Sequence, residues 1–148
     1  MRFYFENEYL KPYKKHRSDA GWDLKTKEEF TIMPKSIHKV TTGVSCEIPR
    51  GCVGLIKERS SIGACGLHTV AGVIDSDYRG EISIVLHNTT DNPVTIFKHE
   101  RIAQIIIVPV LLGCEMLKGH APQNTERGDG GFGSTNNSSA NKNLTKGD

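Results

Sequence analysis

An all-β barrel or sandwich is the fold that this sequence predicts, on three observations. Short apolar runs alternate with a two-residue period. Gly, Pro and Asn turns separate those runs. No segment of a dozen residues sustains apolar positions at i, i+3, i+4 and i+7 with caps, so no long amphipathic helix competes. The 148 residues suit one domain.

Between Lys39 and Pro49, Val40, Thr42, Val44, Cys46 and Ile48 fall on one side of the repeat and predict a strand. Ala71 to Glu81 joins two strand-like runs through a polar turn and reads as a β-hairpin. After it, Ile82, Ile84 and Leu86 alternate with Ser83, Val85 and His87. Val94 to Phe97 is a further short β-branched run, set off by the turn signal Asp91-Asn92-Pro93. Ile102 to Leu112 is apolar on both faces except at Gln104. Such a strand needs cover on both sides. A neighbouring subunit accounts for it better than the alternative, an ordinary central strand with Pro109 at a bulge or edge.

The C-terminal end differs. Gly128 to Ser134 holds four glycines in seven residues, a poor strand or helix. A lone Phe132 between glycines, with Arg127 upstream, suits an arm carrying one ring, one cation and many backbone amides. From Asn136 onward only Ala140 and Leu144 are apolar, too little to offset the entropy of ordering. The expected organisation is a core over 1–125, a mobile arm over 126–136 and a disordered polar tail over 137–148.

Composition narrows the function. Lys+Arg number 19 against 17 Asp+Glu, a formal charge of +2, and no long run of like charges occurs. A main role in nucleic-acid binding, which favours a basic stripe, is therefore not expected. No apolar stretch approaches a membrane span, and Met1 to Glu6 lacks a signal-peptide core, so an intracellular protein without membrane contact is expected. Cys46, Cys52, Cys65 and Cys114 form no C-x-x-C pair, which disfavours structural zinc. Buried reduced thiols are expected in preference to disulfides.

Five short segments carry candidate chemistry. Asp75, Asp77, Tyr78, Arg79 and Glu81 crowd the connection from Ala71 to Glu81, although an Asp in a turn commonly serves the turn itself. Arg59-Ser60-Ser61-Ile62-Gly63 pairs a guanidinium with two hydroxyls, a set that suits phosphate oxygens. Ala20 to Leu24, Glu100 to Gln104 and Arg127 to Thr135 complete the group.

Together, and in this order, these segments resemble the trimeric deoxyuridine triphosphatase (dUTPase) family over about residues 20 to 135. Gly72 to Glu81 matches the third family motif almost letter for letter, and Arg127 to Thr135 matches the fifth. The resemblance implies a distorted jelly-roll, or β-clip, barrel that assembles as a homotrimer with three active sites. It also implies Mg²⁺-dependent hydrolysis of dUTP to dUMP and pyrophosphate, which keeps uracil out of DNA and supplies dUMP for thymidylate synthesis. Each site would draw motifs from neighbouring subunits, with the C-terminal arm closing over it.

Site roles follow from the same resemblance. Spacing leaves Asp75 and Asp77 equivalent; the family match makes Asp75 the base that activates the attacking water. Tyr78 would lie against the deoxyribose and exclude a 2′-hydroxyl, the alternative being a core tyrosine. Gly72, Val73 and Ile74 would line a uracil slot in which backbone N–H and C=O groups match the base's acceptor–donor–acceptor edge. Cytosine reverses two of those three groups and would leave buried partners unpaired. Arg59, Ser60, Ser61 and Gln104 would hold phosphates, and Arg127 the terminal phosphate. Phe132 would stack on uracil, and the amides of Gly131, Phe132, Gly133 and Ser134 would cover the phosphates. Mg²⁺ would be held by the substrate phosphates, with Asp23 either touching its waters or serving a structural role. Arg79 and Arg101 read as structural ion-pair partners.

Four positions depart from the family pattern. His99 and Glu100 stand where Gly-Asp is usual, Thr69 stands where many bacterial members carry Asn, and Asn136 replaces a closing Gly. The related dCTP deaminases need a Glu on the strand after the hairpin, and none occurs between Glu81 and Glu100. A trimeric dUTP-binding regulator is the alternative from another class, and the retained Asp75 and Phe132 speak against a purely non-catalytic one.

Overall fold

The computed structural model describes residues 1–131. Its strands are β1 (Arg2–Phe5), β2 (Gly21–Lys25), β3 (Phe30–Ile32), β4 (Ile37–Thr41), β5 (Val44–Glu47), β6 (Cys52–Glu58), β7 (Leu67–Thr69), β8 (Val73–Ile74), β9 (Ser83–Asn88), β10 (Val94–Ile96) and β11 (Arg101–Pro109). One short helix, α1 (Ser60–Ala64), follows β6. The fold is all-β, and every strand pairing is antiparallel. Four sheets result, ordered β2-β11-β6-β8, β4-β9-β7, β1-β5 and β10-β3. Among the described residues, no helix is long and apolar enough to cross a membrane.

The chain divides at Gly113–Cys114 into two units. In the second, the described residues after Cys114 form neither helix nor strand. There Gly128 N donates to Thr125 O at 3.2 Å and Arg127 Nε to Gly130 O at 2.9 Å.

Alternation reads the buried faces well. Val40, Thr42, Val44, Cys46 and Ile48 are all buried, as are Ile82, Ile84 and Leu86. The run from Lys39 to Pro49 is nonetheless two strands rather than one. At Thr42–Gly43 the chain turns a corner, so β4 pairs with β9 while β5 pairs with β1. The buried Thr42 hydroxyl holds that corner, donating to Ile82 O at 2.7 Å and accepting from Val44 N at 3.2 Å. Gly43 has φ +67, and an added Cβ would stand 2.5 Å from Leu10 Cδ1, so glycine is required there.

The hairpin reading of Ala71 to Glu81 is also corrected. β8 pairs with β6, and β9 with β4 and β7, so the two strands lie in different sheets. Asp75 to Tyr78 is a turn between sheets, closed by Tyr78 N donating to Asp75 O at 3.2 Å.

β11 is central in its sheet, flanked by β2 and β6. A register shift between Arg101 and Ala103 marks a bulge against β2, and the consecutive Ile102 and Ala103 are both fully buried. The opposite face, Ile106 and Val108, is half-buried, and Val110 to Leu112 beyond the strand are exposed. Pro109 ends the strand, where a missing ladder donor is tolerated.

The cysteine expectation holds in part. All four are free thiols, but only Cys46 is buried; Cys65 and Cys114 are exposed. Burial pushes the Cys46 thiol up. Asn88, buried and not singled out from the sequence, ties three segments together. Its amide donates to Ile32 O, Met33 O and Asn92 O at 3.0, 3.2 and 2.8 Å, and its Oδ1 accepts from Thr90 N at 2.9 Å.

Candidate active site

Two separate clefts hold most of the candidate residues in the first unit. The first, of about 570 Å³, is lined by Asp23 from β2, Arg59, Ser60 and Ser61 at the start of α1, and Arg101 and Gln104 from β11. Sheet order explains the convergence. Gln104 pairs with Asp23 on one side and Lys57 on the other, and the chain leaves β6 at Glu58 into Arg59.

The Asp23 carboxylate, 18% exposed, is the hub of this cleft. Oδ1 accepts from Arg59 Nε at 3.0 Å, and Oδ2 from Arg101 Nη1 at 3.2 Å. Asp23 thus pairs with two guanidinium groups, and Arg101 makes the ion pair expected of it. Arg59 Nη1 also reaches Arg101 O at 3.3 Å. A guanidinium has five N–H donors, so these two bonds fix the Arg59 plane without exhausting it. Gln104 Nε2 donates to Glu58 O at 3.2 Å, and a Cβ at Gly21 would stand 2.5 Å from Gln104 Oε1. Glycine at the start of β2 therefore makes room for the Gln104 amide.

Lys15, Asp19 and Tyr13 also line this cleft and were missed from the sequence. Asp19 accepts from the backbone N–H of Lys15 at 3.1 Å and of His16 at 2.9 Å, which fixes the loop. The His16 amide above all holds the Asp19 carboxyl below its usual range. Three cations, Lys15, Arg59 and Arg101, face two carboxylates, Asp19 and Asp23. With the Ser60 and Ser61 hydroxyls, the cleft suits anionic oxygens.

A second cleft, of about 270 Å³, is lined by Lys39, Ala71 to Asp75, Tyr78, Glu81 and Ser83. Its wall is β8, at the edge of its sheet. Gly72 has φ +151, and a Cβ there would stand 2.5 Å from Ile56 Cβ, so only glycine lets β8 press this closely on β6. Ile56 N donates to Gly72 O at 2.8 Å. The other edge of β8 pairs with no strand among the described residues, leaving backbone groups to meet a ligand.

Asp75 and Asp77 differ here. Asp75 shares the cleft with Gly72, Val73, Ile74 and Tyr78, whereas Asp77 is absent from its lining and meets Asp75, Arg50 and Arg79 in an adjoining cleft of about 710 Å³. Tyr78 is 45% exposed and is no core tyrosine. Arg79 corrects its reading as an ion-pair partner. Its Nη1 donates to Ser76 O at 2.8 Å and Tyr78 O at 2.9 Å, bracing the turn, and it meets no carboxylate within ion-pair distance among the described residues.

The departures from the family pattern are accommodated. His99 adopts φ +66 and stacks on Tyr9 with ring centroids 5.1 Å apart, so it keeps the left-handed turn without a glycine. Glu100 Oε2 accepts from Phe97 N at 3.1 Å in the same turn. Thr69 donates to Glu58 Oε2 at 2.7 Å. That hydroxyl, with the backbone, lowers the Glu58 carboxyl.

Among the described residues, none lines both the anion-suited cleft and the β8 cleft. Arg127 and Gly131 lie in the second unit. Phe132, Gly133, Ser134 and Asn136 fall outside the described residues. Among the described residues, no group of three or more His, Cys, Asp or Glu side chains could hold a metal ion.

Comparison with known proteins points one way. A sequence model of the dUTPase family matches residues 8–136. A deoxyuridine 5′-triphosphate nucleotidohydrolase of Paramecium bursaria Chlorella virus 1 is 38% identical over 125 residues, covering 84% of this chain and 88% of the relative. One from Anaeromyxobacter sp. is 41% identical over 119 residues, covering 78% and 80%. The solved structure of a Staphylococcus bacteriophage 80alpha dUTPase G164S mutant with dUpNHpp superimposes with a TM-score of 0.82 at 27% identity, over 91% of this chain and 97% of that one.

Proposed function

This chain belongs to the dUTPase family, and on that premise we propose how its residues carry out dUTP hydrolysis in a site that several copies complete. The enzyme hydrolyses dUTP to dUMP and pyrophosphate. The observation that carries the proposal is the division of the motifs between two clefts that share none of the described residues. The Arg59–Gln104 cleft offers cations and hydroxyls, and the β8 cleft offers a free strand edge and Asp75. Neither is a whole nucleotide site, so a second copy bringing its own β8 beside the first copy's Arg59 supplies the missing half. The half-buried outer face of β11 and the exposed Val110, Leu111 and Leu112 support a homotrimer, because assembly would cover them.

In this reading uracil lies along the edge of β8 at Gly72, Val73 and Ile74, and Tyr78 faces the sugar. Arg59, Ser60, the Ser61 amide and Gln104 hold phosphate oxygens. Asp75 orients a water and takes its proton as the oxygen bonds to the α-phosphorus. The bond from that phosphorus to the bridging oxygen of the β-phosphate breaks, and pyrophosphate leaves with the electron pair. A positioned carboxylate base contributes roughly 10²–10⁴ in rate. Asp23 positions Arg59 from behind. By the family match the segment 126–136 would close the site, with Arg127 on the terminal phosphate, Phe132 on uracil and the amides of Gly131 to Ser134 over the phosphates. Closure would exclude water and strengthen the charge contacts.

Magnesium fits as a passenger on the substrate. With Asp23 taken up by two guanidinium groups and no carboxylate cluster among the described residues, phosphate oxygens are its natural ligands. When bound, it neutralises charge on the leaving pyrophosphate.

The test is pyrophosphate release from dUTP, dCTP, dTTP and UTP, with and without Mg²⁺. Turnover of dUTP alone, lost without Mg²⁺ and in Asp75→Asn but kept in Asp77→Asn, is the expected pattern. Full rate in Asp75→Asn would remove that residue as the base.

A further inference from the structure

The turn that carries Asp75 and Tyr78 is held at its far end by contacts that the reaction as described does not use. Tyr78 Oη donates to the backbone carbonyl of Glu81 at 3.0 Å. The bond spans Gly80, where an added Cβ would collide with that hydroxyl. The tyrosine ring therefore takes its position from wherever the Glu81 backbone lies.

Glu81 is fixed through its side chain. Its Oε1 accepts the Gly43 N–H at 2.6 Å and lies 3.2 Å from Lys27 Nζ. Lys27 in turn reaches Glu6 Oε1 at 2.9 Å. Gly43 is a rigid donor, because it is buried at φ +67 with Leu10 filling the place of a side chain. The end of β1, the chain after β2 and the β4–β5 corner thus converge on one carboxylate that the third motif supplies.

We infer that Glu81 is a specificity-determining positioning residue, whose carboxylate, gripped by Gly43 and Lys27, holds the Tyr78 ring where it separates dUTP from UTP. The inference rests on the reading of Tyr78 as the sugar-facing wall. Excluding a single hydroxyl demands a wall held to about 0.5 Å. An exposed tyrosine on a turn has no such rigidity of its own, and the Glu81 contacts provide it.

The experiment measures kcat/KM for dUTP and UTP in Glu81→Ala, Glu81→Gln and Tyr78→Ala, with thermal denaturation of each. Glu81→Ala is expected to lower the dUTP/UTP ratio by roughly threefold to tenfold, the scale of one or two lost hydrogen bonds. The fall should come from a rise in kcat/KM for UTP, which mere instability would not produce. Glu81→Gln still accepts the Gly43 N–H and should keep most of the ratio. If Tyr78→Ala collapses the ratio while a folded Glu81→Ala leaves it unchanged, the inference is overturned and the sugar-wall reading stands. If Tyr78→Ala also leaves it unchanged, that reading falls and takes the inference with it. Should Glu81→Ala not fold, Lys27→Met reads the same ratio: a fall supports the inference and no change overturns it.

Discussion

A single methyl group added at Gly72 separates the strain of the site from the stability of the fold. In Gly72→Ala the new Cβ would stand 2.5 Å from Ile56 Cβ and 3.2 Å from Ile56 O. Carbon atoms in contact sit about 3.5–4.0 Å apart, so something must give by roughly 1 Å. Ile56 is 4% exposed, on a strand paired with β11 along its length, and cannot retreat. β8 is two residues long at the sheet edge, and it yields instead. Overpacking of this kind costs about 1–3 kcal/mol. The φ of +151 adds backbone strain for any L side chain. We expect a loss of about 2–4 kcal/mol in urea denaturation, the sum of those two costs less what the edge strand relieves by moving. Because the movement occurs in the strand proposed to carry uracil, kcat/KM for dUTP should fall about 100-fold, as a 1 Å misplacement can cost. Stability within about 0.5 kcal/mol of the parent, the range of an ordinary surface change, together with unchanged kcat/KM, would refute the reasoning.

Two further outcomes follow from contacts outside the reaction. Thr69→Val removes the leading hydrogen bond that lowers Glu58 from its ordinary value of 4.5. A carboxyl depressed in the folded state stabilises fully above its unfolded value and loses that contribution as pH falls through the folded one. The stability gap between parent and Thr69→Val should therefore be about 1 kcal/mol near neutral pH and close in acid, and a gap that widens in acid contradicts the assignment. His99→Val places a β-branched residue at φ +66 and should cost about 1–2 kcal/mol in thermal denaturation, whereas His99→Gly should not. Equal melting of the two variants would show that the left-handed turn carries no strain.

The faces of the strands were legible in the sequence, and their ends and partners were not. Val40, Thr42, Val44, Cys46 and Ile48 keep their side chains in the core through the corner at buried Gly43, although the chain changes sheets there. Periodicity reports burial and is silent about pairing, which is why one predicted strand is two and the predicted hairpin spans two sheets. The candidate site divides along the same line. Ser60 could be named from residue chemistry and Gln104 from the family resemblance, but their meeting depends on β6 lying beside β11, a long-range pairing that no local pattern encodes. Asn88 and the clamping role of Glu81 were missed for that reason, since each is an unremarkable polar residue until its remote partners are known, and Lys15 and Asp19, whose mutual contacts are local, matter only because the fold sets them beside Arg59.

The same sheet order explains why a chain with a formal charge of only +2 suits a polyanionic substrate. β11 and the end of β6 gather Arg59 and Arg101 around Asp23, so the cations are fixed in place by one carboxylate rather than massed in number. Fixed donors cost no reorganisation when charge develops, which favours a few oriented groups over a diffuse basic surface. The β8 edge, on the far side of β6 from β11, can then specialise in reading a neutral base by backbone groups. Among the described residues its lining holds one cation, Lys39, against Asp75 and Glu81, a balance that does not favour phosphates. On the proposed reading, each cleft would thus disfavour the other's half of the nucleotide. In the proposed site a pairing of unlike clefts from two copies would recognise the whole, which would make assembly part of substrate selection.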